Sequence, residues 1–156
     1  MYEHAIGLIA ESLEDAAEAR DAYARALQED LSYHAAHVQL GILALSLGDT
    51  TTALAELALA AEIAPDDPRT RYEYGRMLIH NGQHADAERE LRAAIAAEPL
   101  FAPPYAALGD VLAEAGRSDD ARVAYTDFLT HSRRNSPERV RVEGRLRSLG
   151  DRKAGM

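Results

Sequence analysis

The 156-residue chain has no cysteine and no tryptophan, and a single lysine beside sixteen arginines. Without cysteine there is no disulfide framework, thiolate nucleophile, thiolate metal ligand or lipidated cysteine. Aromatic residues are only 6 % and β-branched residues are sparse, which disfavours sheet. No apolar run approaches the roughly 20 residues of a membrane span. The N-terminus, MYEHAIGLIAESLED, carries acids where a secretory leader needs basic residues. The expectation is a cytoplasmic protein with no membrane partner. A glycine-rich phosphate loop, a serine-nucleophile motif and a His-Glu-x-x-His zinc helix are all missing, so neither catalysis nor a cofactor is expected.

What the chain does have is alanine, the commonest residue, within a hydrophobic fraction of 47 %. That balance favours helix and is ample for a continuous core. The net charge of −9 is unevenly spread: residues 131–156 hold eight Arg or Lys against three acids, or +5, leaving −14 on the other 130 residues. A body this acidic repels phosphate backbones and anionic lipid, so only the C-terminal segment offers either an electrostatic footing.

The chain repeats at a period of 34 residues without a gap. Gly7, Gly41, Gly75 and Gly109 recur in phase, followed twelve positions later by Ala19, Ala53, Ala87 and Ala121. A large residue comes next (Tyr23, Leu57, Leu91, Tyr125), then a small one (Ala26, Ala60, Ala94, with Phe128 as the exception). Pro65 and Pro99 close the middle repeats, and a second glycine recurs at Gly48, Gly82 and Gly116. Small residues suit a helix crossing, where anything larger than a methyl pushes the backbones apart. The second glycine suits a left-handed helix end, and Asp67-Pro68 and Ser136-Pro137 suit helix starts.

With these residues in view, the chain resembles the tetratricopeptide repeat family over roughly residues 1–135, through segments such as LGILALSLGDTTTALAELALAAEIAP and YGRMLIHNGQHADAERELRAAIAAEP. The resemblance implies an all-α, right-handed solenoid of about four helix-turn-helix repeats, near 1–33, 34–67, 68–101 and 102–135, within one domain spanning 1–149. A capping helix is expected at 137–148, with Val142, Leu146 and Leu149 as its inner stripe, and a disordered tail at 150–156. The first repeat lacks the turn glycine, with Glu14 in its place, so its first helix either ends near Ser12 or runs on into the second.

The resemblance further implies a concave groove lined by the first helix of each repeat. Its positions here include Leu8, then Val38, Ile42 and Leu45, which packing a helix onto its own partner should not require. Next come Arg69, Tyr72, Arg76, Ile79 and His80, and then Asp110. This pattern suggests a bound peptide or helix with two or three apolar anchors and an acidic group beside Tyr72, unless the superhelix's own curvature or a neighbouring chain covers the strip. The family's carboxylate-clamp positions read His4, Leu8, Gln39, Arg69 and Glu73; only Arg69 carries suitable chemistry, which argues against that clamp.

The function expected is therefore a non-catalytic interaction module or adaptor for a partner protein. The alternative is a self-associating scaffold or homodimer, because Tyr2, Ile6 and Ile9 form an apolar stripe that nothing obvious in the chain covers. Nucleic-acid binding through the C-terminal arginines ranks third, since acids intersperse them and stacking aromatics are missing. His80 and His84 flank the Asn81-Gly82 turn on different helices and lack a third ligand, so no metal is expected. His34 and His37 read as surface or packing residues with no carboxylate to orient either.

Overall fold

The computed structural model describes residues 3, 7, 15–30 and 33–154, the last four by backbone alone. Among these residues it contains eight α-helices and no strand. They are α1 (Ala16–Glu29), α2 (His34–Ser46), α3 (Thr50–Ile63), α4 (Pro68–His80), α5 (His84–Ala97), α6 (Pro103–Glu114), α7 (Ser118–His131) and α8 (Glu138–Ala154). The closest packing is within the hairpins α2/α3, α4/α5 and α6/α7. Contacts of α2 with α4, and of α4 with α6, make the first helices of the hairpins a continuous layer.

The turns follow from glycine. Gly48, Gly82 and Gly116 have φ of 81°, 74° and 75°, a left-handed conformation that costs other residues strain. Each is followed by the backbone bond that closes a helix end: Asp49 N–H to Ala44 O, Gln83 N–H to Leu78 O and Arg117 N–H to Leu112 O, all 2.8–2.9 Å. Asn81-Gly82 is thus a helix end and not a strand hairpin. Helix starts use Asp15, Asp49 and Asp67, whose carboxylates accept from the backbone N–H of Glu18, Thr52 and Thr70, and Pro68 and Pro103 occupy first turns. Asp15 lies outside α1 at φ −93°, so the first repeat's second helix begins separately; Ser12 and Glu14 lie outside the described residues.

Small residues let the hairpins cross. Ala19, Ala53, Ala87 and Ala121 are fully buried, as are Tyr23, Leu91 and Tyr125, and Leu57 is nearly so. A Cβ at Gly41 would lie 2.6 Å from Leu57 Cγ, and one at Gly75 would lie 3.1 Å from Leu91; at Gly7 and Gly109 it would overlap the rings of Tyr23 and Tyr125. Burying each such Leu contributes about 1.5–3 kcal/mol. One core runs from Leu78 and Leu91 through Tyr105, Phe128 and Val142 to Leu149, and a second surrounds Leu57 and Met77.

Two expectations need correction. The last helix runs to Ala154, into the stretch expected to be disordered, because Gly150 does not turn left-handed and the helix continues through it. His37 does have an orienting carboxylate. It is 5 % exposed, and its Nδ1 lies 2.7 Å from Glu56 Oε2 on α3. One repeat on, Arg71 Nη1 donates to Glu90, an acid only 5 % exposed. Neither pair is visible in local spacing, because the partners stand 19 residues apart on two helices. The signal available was their phase, 37 to 71 and 56 to 90, one period apart.

Candidate protein-binding groove

The surface formed by α2, α4 and α6 continues onto α8. Two adjoining clefts lie there, of about 320 and about 280 Å³, sharing Asp110, Glu114 and Arg145. Tyr72, Arg76 and Ile79 of α4 line the larger cleft together with Ala107 of α6 and Glu138 and Arg141 of α8. The last helix, expected to cap the core, is therefore also a wall of the groove. Val142 and Leu149 face the core while Arg141 and Arg145 face the cleft.

Tyr72 is half-buried and fixed from two sides. Its ring meets Phe101 edge-on at 5.6 Å, and the Arg76 guanidinium lies 5.7 Å from its centroid. Burial pushes its phenol above the ordinary value, with Arg76 opposing, so the ring is neutral at physiological pH. Ile79 lies about two turns further along α4, half-buried, and His80 beyond it is exposed. Arg69, at the start of the helix, is exposed.

The charges in the cleft are largely matched within the chain. Arg76 pairs with Glu73 at 3.0 Å. Asp110 accepts from Tyr125 O–H at 2.6 Å and from Arg141 Nη1 at 2.6 Å, with Arg145 Nε at 3.8 Å, and Arg141 also reaches Glu138 at 2.8 Å. Asp110 is thus a joint between α6, α7 and α8 more than an acid offered to a ligand. The arginines expected to meet a partner's acidic group beside Tyr72 are mostly neutralised within the chain, and the arginines of α8 that point inward are used in packing it.

On α2 the expected apolar strip divides. Val38 is 6 % exposed and packs with Ala53, Leu57 and Met77, so it is a core residue and not part of the groove floor. The cluster joins it to Met77 of the next repeat, so it is core between repeats. Ile42 and Leu45 are half-buried at the edge of the same cluster and remain on the surface. Leu8 lies outside the described residues. Among the described residues, no group of three or more His, Cys, Asp or Glu could hold a metal ion; His84 instead stands 3.6 Å from Glu114. Among them, too, no helix is long and apolar enough to cross a membrane.

Comparison with known proteins agrees with this architecture. The sequence profile of the tetratricopeptide repeat matches residues 4–68 and 72–138. Among solved structures, MamA from Desulfovibrio magneticus RS-1 superposes with a TM-score of 0.82 at 20 % identity, covering 98 % of this chain and 84 % of that one. A Pseudomonas aeruginosa pilF structure gives 0.82 at 16 % identity, covering 97 % and 69 %. The first repeat domain of Spaghetti (RPAP3), bound to the HSP90 peptide SRMEEVD, gives 0.70 at 16 % identity, covering 78 % and 95 %. At such identities the likeness is one of fold. No curated protein sequence matches significantly. With the repeat profile matched over most of its length and the crossing glycines and turns in phase, the chain belongs to the tetratricopeptide repeat family, a helical scaffold for protein interaction.

Proposed function

We propose that this protein is a non-catalytic adaptor whose concave surface, formed by α2, α4, α6 and α8, holds a short extended or helical segment of a partner protein. The observation that carries this reading is Tyr72, a half-buried aromatic ring fixed between Phe101 and Arg76 at the mouth of a cleft and continued by Ile79. A rigid aromatic loses little entropy on binding and makes a strong anchor. Ile42 and Leu45 extend the apolar surface toward the N-terminal end. The segment is anchored mainly by apolar side chains, because Arg76, Arg141 and Arg145 already face Glu73, Asp110 and Glu138. Arg69, exposed at the start of α4, can meet an acidic side chain at the rim. The peptide carried by the RPAP3 relative supports this use of the fold.

The test compares wild type with the Ile42→Asp, Tyr72→Ala double variant in an affinity capture from native lysate read by mass spectrometry, followed by titration of the captured segment. Wild type should retain a protein that the variant loses, with an affinity drop of at least about tenfold, or about 1.4 kcal/mol. Helicity should be equal, since neither side chain is fully buried. Identical captures, or equal affinities, would sink the groove reading.

A further inference from the structure

The seams between second helices keep the 34-residue phase but are filled differently. Arg71 Nε donates to Pro65 O at 2.8 Å, and one period later Tyr105 O–H donates to Pro99 O at 2.9 Å, so the register holds from α4 to α6. In the seam of α3 and α5 the side chain supplied by α4 is Tyr74, half-buried and packed against both core clusters. Burial, then Glu90 and Asp86 of α5, push its phenol above the ordinary value; Arg89 opposes and Glu62 of α3 adds to the rise. Its hydroxyl thus stands among charges of both helices, and Arg71 donates to Glu90 in the same seam.

One period later these groups are smaller or apolar. Leu108 stands for Tyr74, Ala96 for Glu62, Val123 for Arg89 and Ala124 for Glu90. The seam of α5 and α7 is accordingly a cleft of about 560 Å³, with Ile95, Tyr105, Leu108, Val123, Ala124 and Asp127 among its lining. That volume is in the range of pockets that enclose a ligand group, and Val123 on its wall is 62 % exposed.

The charges of this cleft leave a remainder. Glu88 accepts from Arg92 and Arg117, and Arg117 also donates to Asp120, at 2.7–2.9 Å, so two cations and two acids match. Asp127 lies two turns along α7 from Asp120, half-buried in the lining, and makes no hydrogen bond or ion pair among the described residues. An unmatched carboxylate beside an apolar wall favours a cation over a neutral or acidic group.

We infer that this seam is a second docking site, on the layer of second helices and apart from the concave groove, for a partner segment that presents an aromatic side chain with a lysine or arginine within one helical turn of it. The ring takes the volume beside Leu108 and Ala124 that Tyr74 takes one repeat earlier, and the cation meets Asp127.

Two acetylated, amidated pentapeptides are the probes, Ala-Tyr-Ala-Ala-Lys and Ala-Tyr-Ala-Ala-Glu, titrated into isotope-labelled protein and followed by the shifts of its backbone amides. The lysine peptide should move Ile95, Val123, Ala124 and Asp127 and bind at least about fivefold tighter than the glutamate peptide. Asp127→Asn, a change of charge alone at a half-buried side chain, should bring the two peptides within about twofold of each other. Leu108→Tyr copies the preceding repeat and should close the cleft to both. The Ile42→Asp, Tyr72→Ala variant, altered only in the concave groove, should bind the lysine peptide as wild type does. Amides of the seam that do not move, equal affinities for the two peptides, or an Asp127→Asn variant that keeps the preference each overturn the inference. So do shifts that gather at Tyr72 and Ile79 instead.

Discussion

The hairpin α2/α3 and the terminal unit α6 to α8 share one backbone register and differ in what fills it. α2 carries no Asp, Glu, Lys or Arg, and α3 carries only Glu56 and Glu62, so this repeat is held by Leu57, Met77 and their apolar neighbours. The terminal unit adds to its apolar core a polar joint in which Tyr125, Arg141 and Arg145 converge on Asp110. One groove position reads Ile42, then Arg76, then Asp110, three chemistries at 34-residue steps. Architecture is set where helices cross, by glycine or alanine under a large side chain. The groove positions are free of that duty and can be specialised. At the apolar end a partner gains by covering Ile42 and Leu45; at the polar end the charges already satisfy one another and hold α8 in place.

The largest expected effect separates the aromatic crossing from the two aliphatic ones. A methyl at Gly109 lands on the ring of Tyr125, which cannot retreat because it is fully buried and its hydroxyl is bound to Asp110. At Gly41 the obstruction is Leu57 Cγ at 2.6 Å, with Ala53 O at 3.2 Å, and at Gly75 it is only Leu91 at 3.1 Å. Gly109→Ala should cost about 3 kcal/mol and Gly41→Ala about 1–2. Gly75→Ala should be near neutral, because a slight shift of Leu91 is offset by about 1 kcal/mol of helix propensity. Urea melts of the three variants check the ranking. Equal losses would mean that the aromatic crossing is no stiffer than the aliphatic ones, and an unchanged melt for Gly75→Leu would contradict the register altogether.

Next in size is the joint itself. Asp110→Asn keeps an acceptor for Tyr125 but removes the counter-charge facing Arg145 and leaves Arg141 with Glu138 alone, which should cost about 1–2 kcal/mol and loosen α8. Glu56→Gln, the corresponding change in the apolar repeat, keeps a hydrogen-bond acceptor for His37 and should cost less than about 1 kcal/mol. The comparison is sharpened by salt. Raising NaCl to about 0.5 M should lower the stability of wild type toward that of Asp110→Asn, since these arginines are part-exposed and screenable, and leave the Glu56→Gln difference unchanged. A salt-independent gap at Asp110 would mean that its ion pairs contribute nothing beyond the Tyr125 bond.

How far the sequence could be read follows the same division. The 34-residue phase made the helix pairs, the crossing glycines and the left-handed turns at Gly48, Gly82 and Gly116 legible, because each depends on one residue type at one phase. Val38 was misplaced because a groove position on one helix can be a core position for the next repeat, a relation set by superhelical curvature and not by local pattern. The double role of α8 was hidden because its arginines read as a footing for nucleic acid, when Arg141 in fact reaches back 31 residues to Asp110.

The smallest effect tests how far burial shields the Tyr125 hydroxyl at that joint. The Tyr125 phenol is pushed well above its ordinary 10.0 by burial and then by the bond to Asp110, both of which favour the protonated ring. Since the folded value lies above the unfolded one, this contribution is complete below about pH 10 and is lost as pH rises from there toward the folded value. Tyr125→Phe should cost about 1 kcal/mol at pH 7, where only the hydroxyl's bond is removed. Above pH 10 wild type should lose up to about 1.4 kcal/mol per pH unit that the variant keeps, so by pH 11 the gap should have closed by about 1 kcal/mol. The other tyrosines ionise in both proteins and cancel in the difference. Denaturant melts at pH 8 and pH 11 give the result directly. A gap that does not move with pH would mean that Tyr125 ionises as a solvated phenol does, and the contrast between a polar, locked terminal unit and an apolar second repeat would then rest on Arg141 and Arg145 alone.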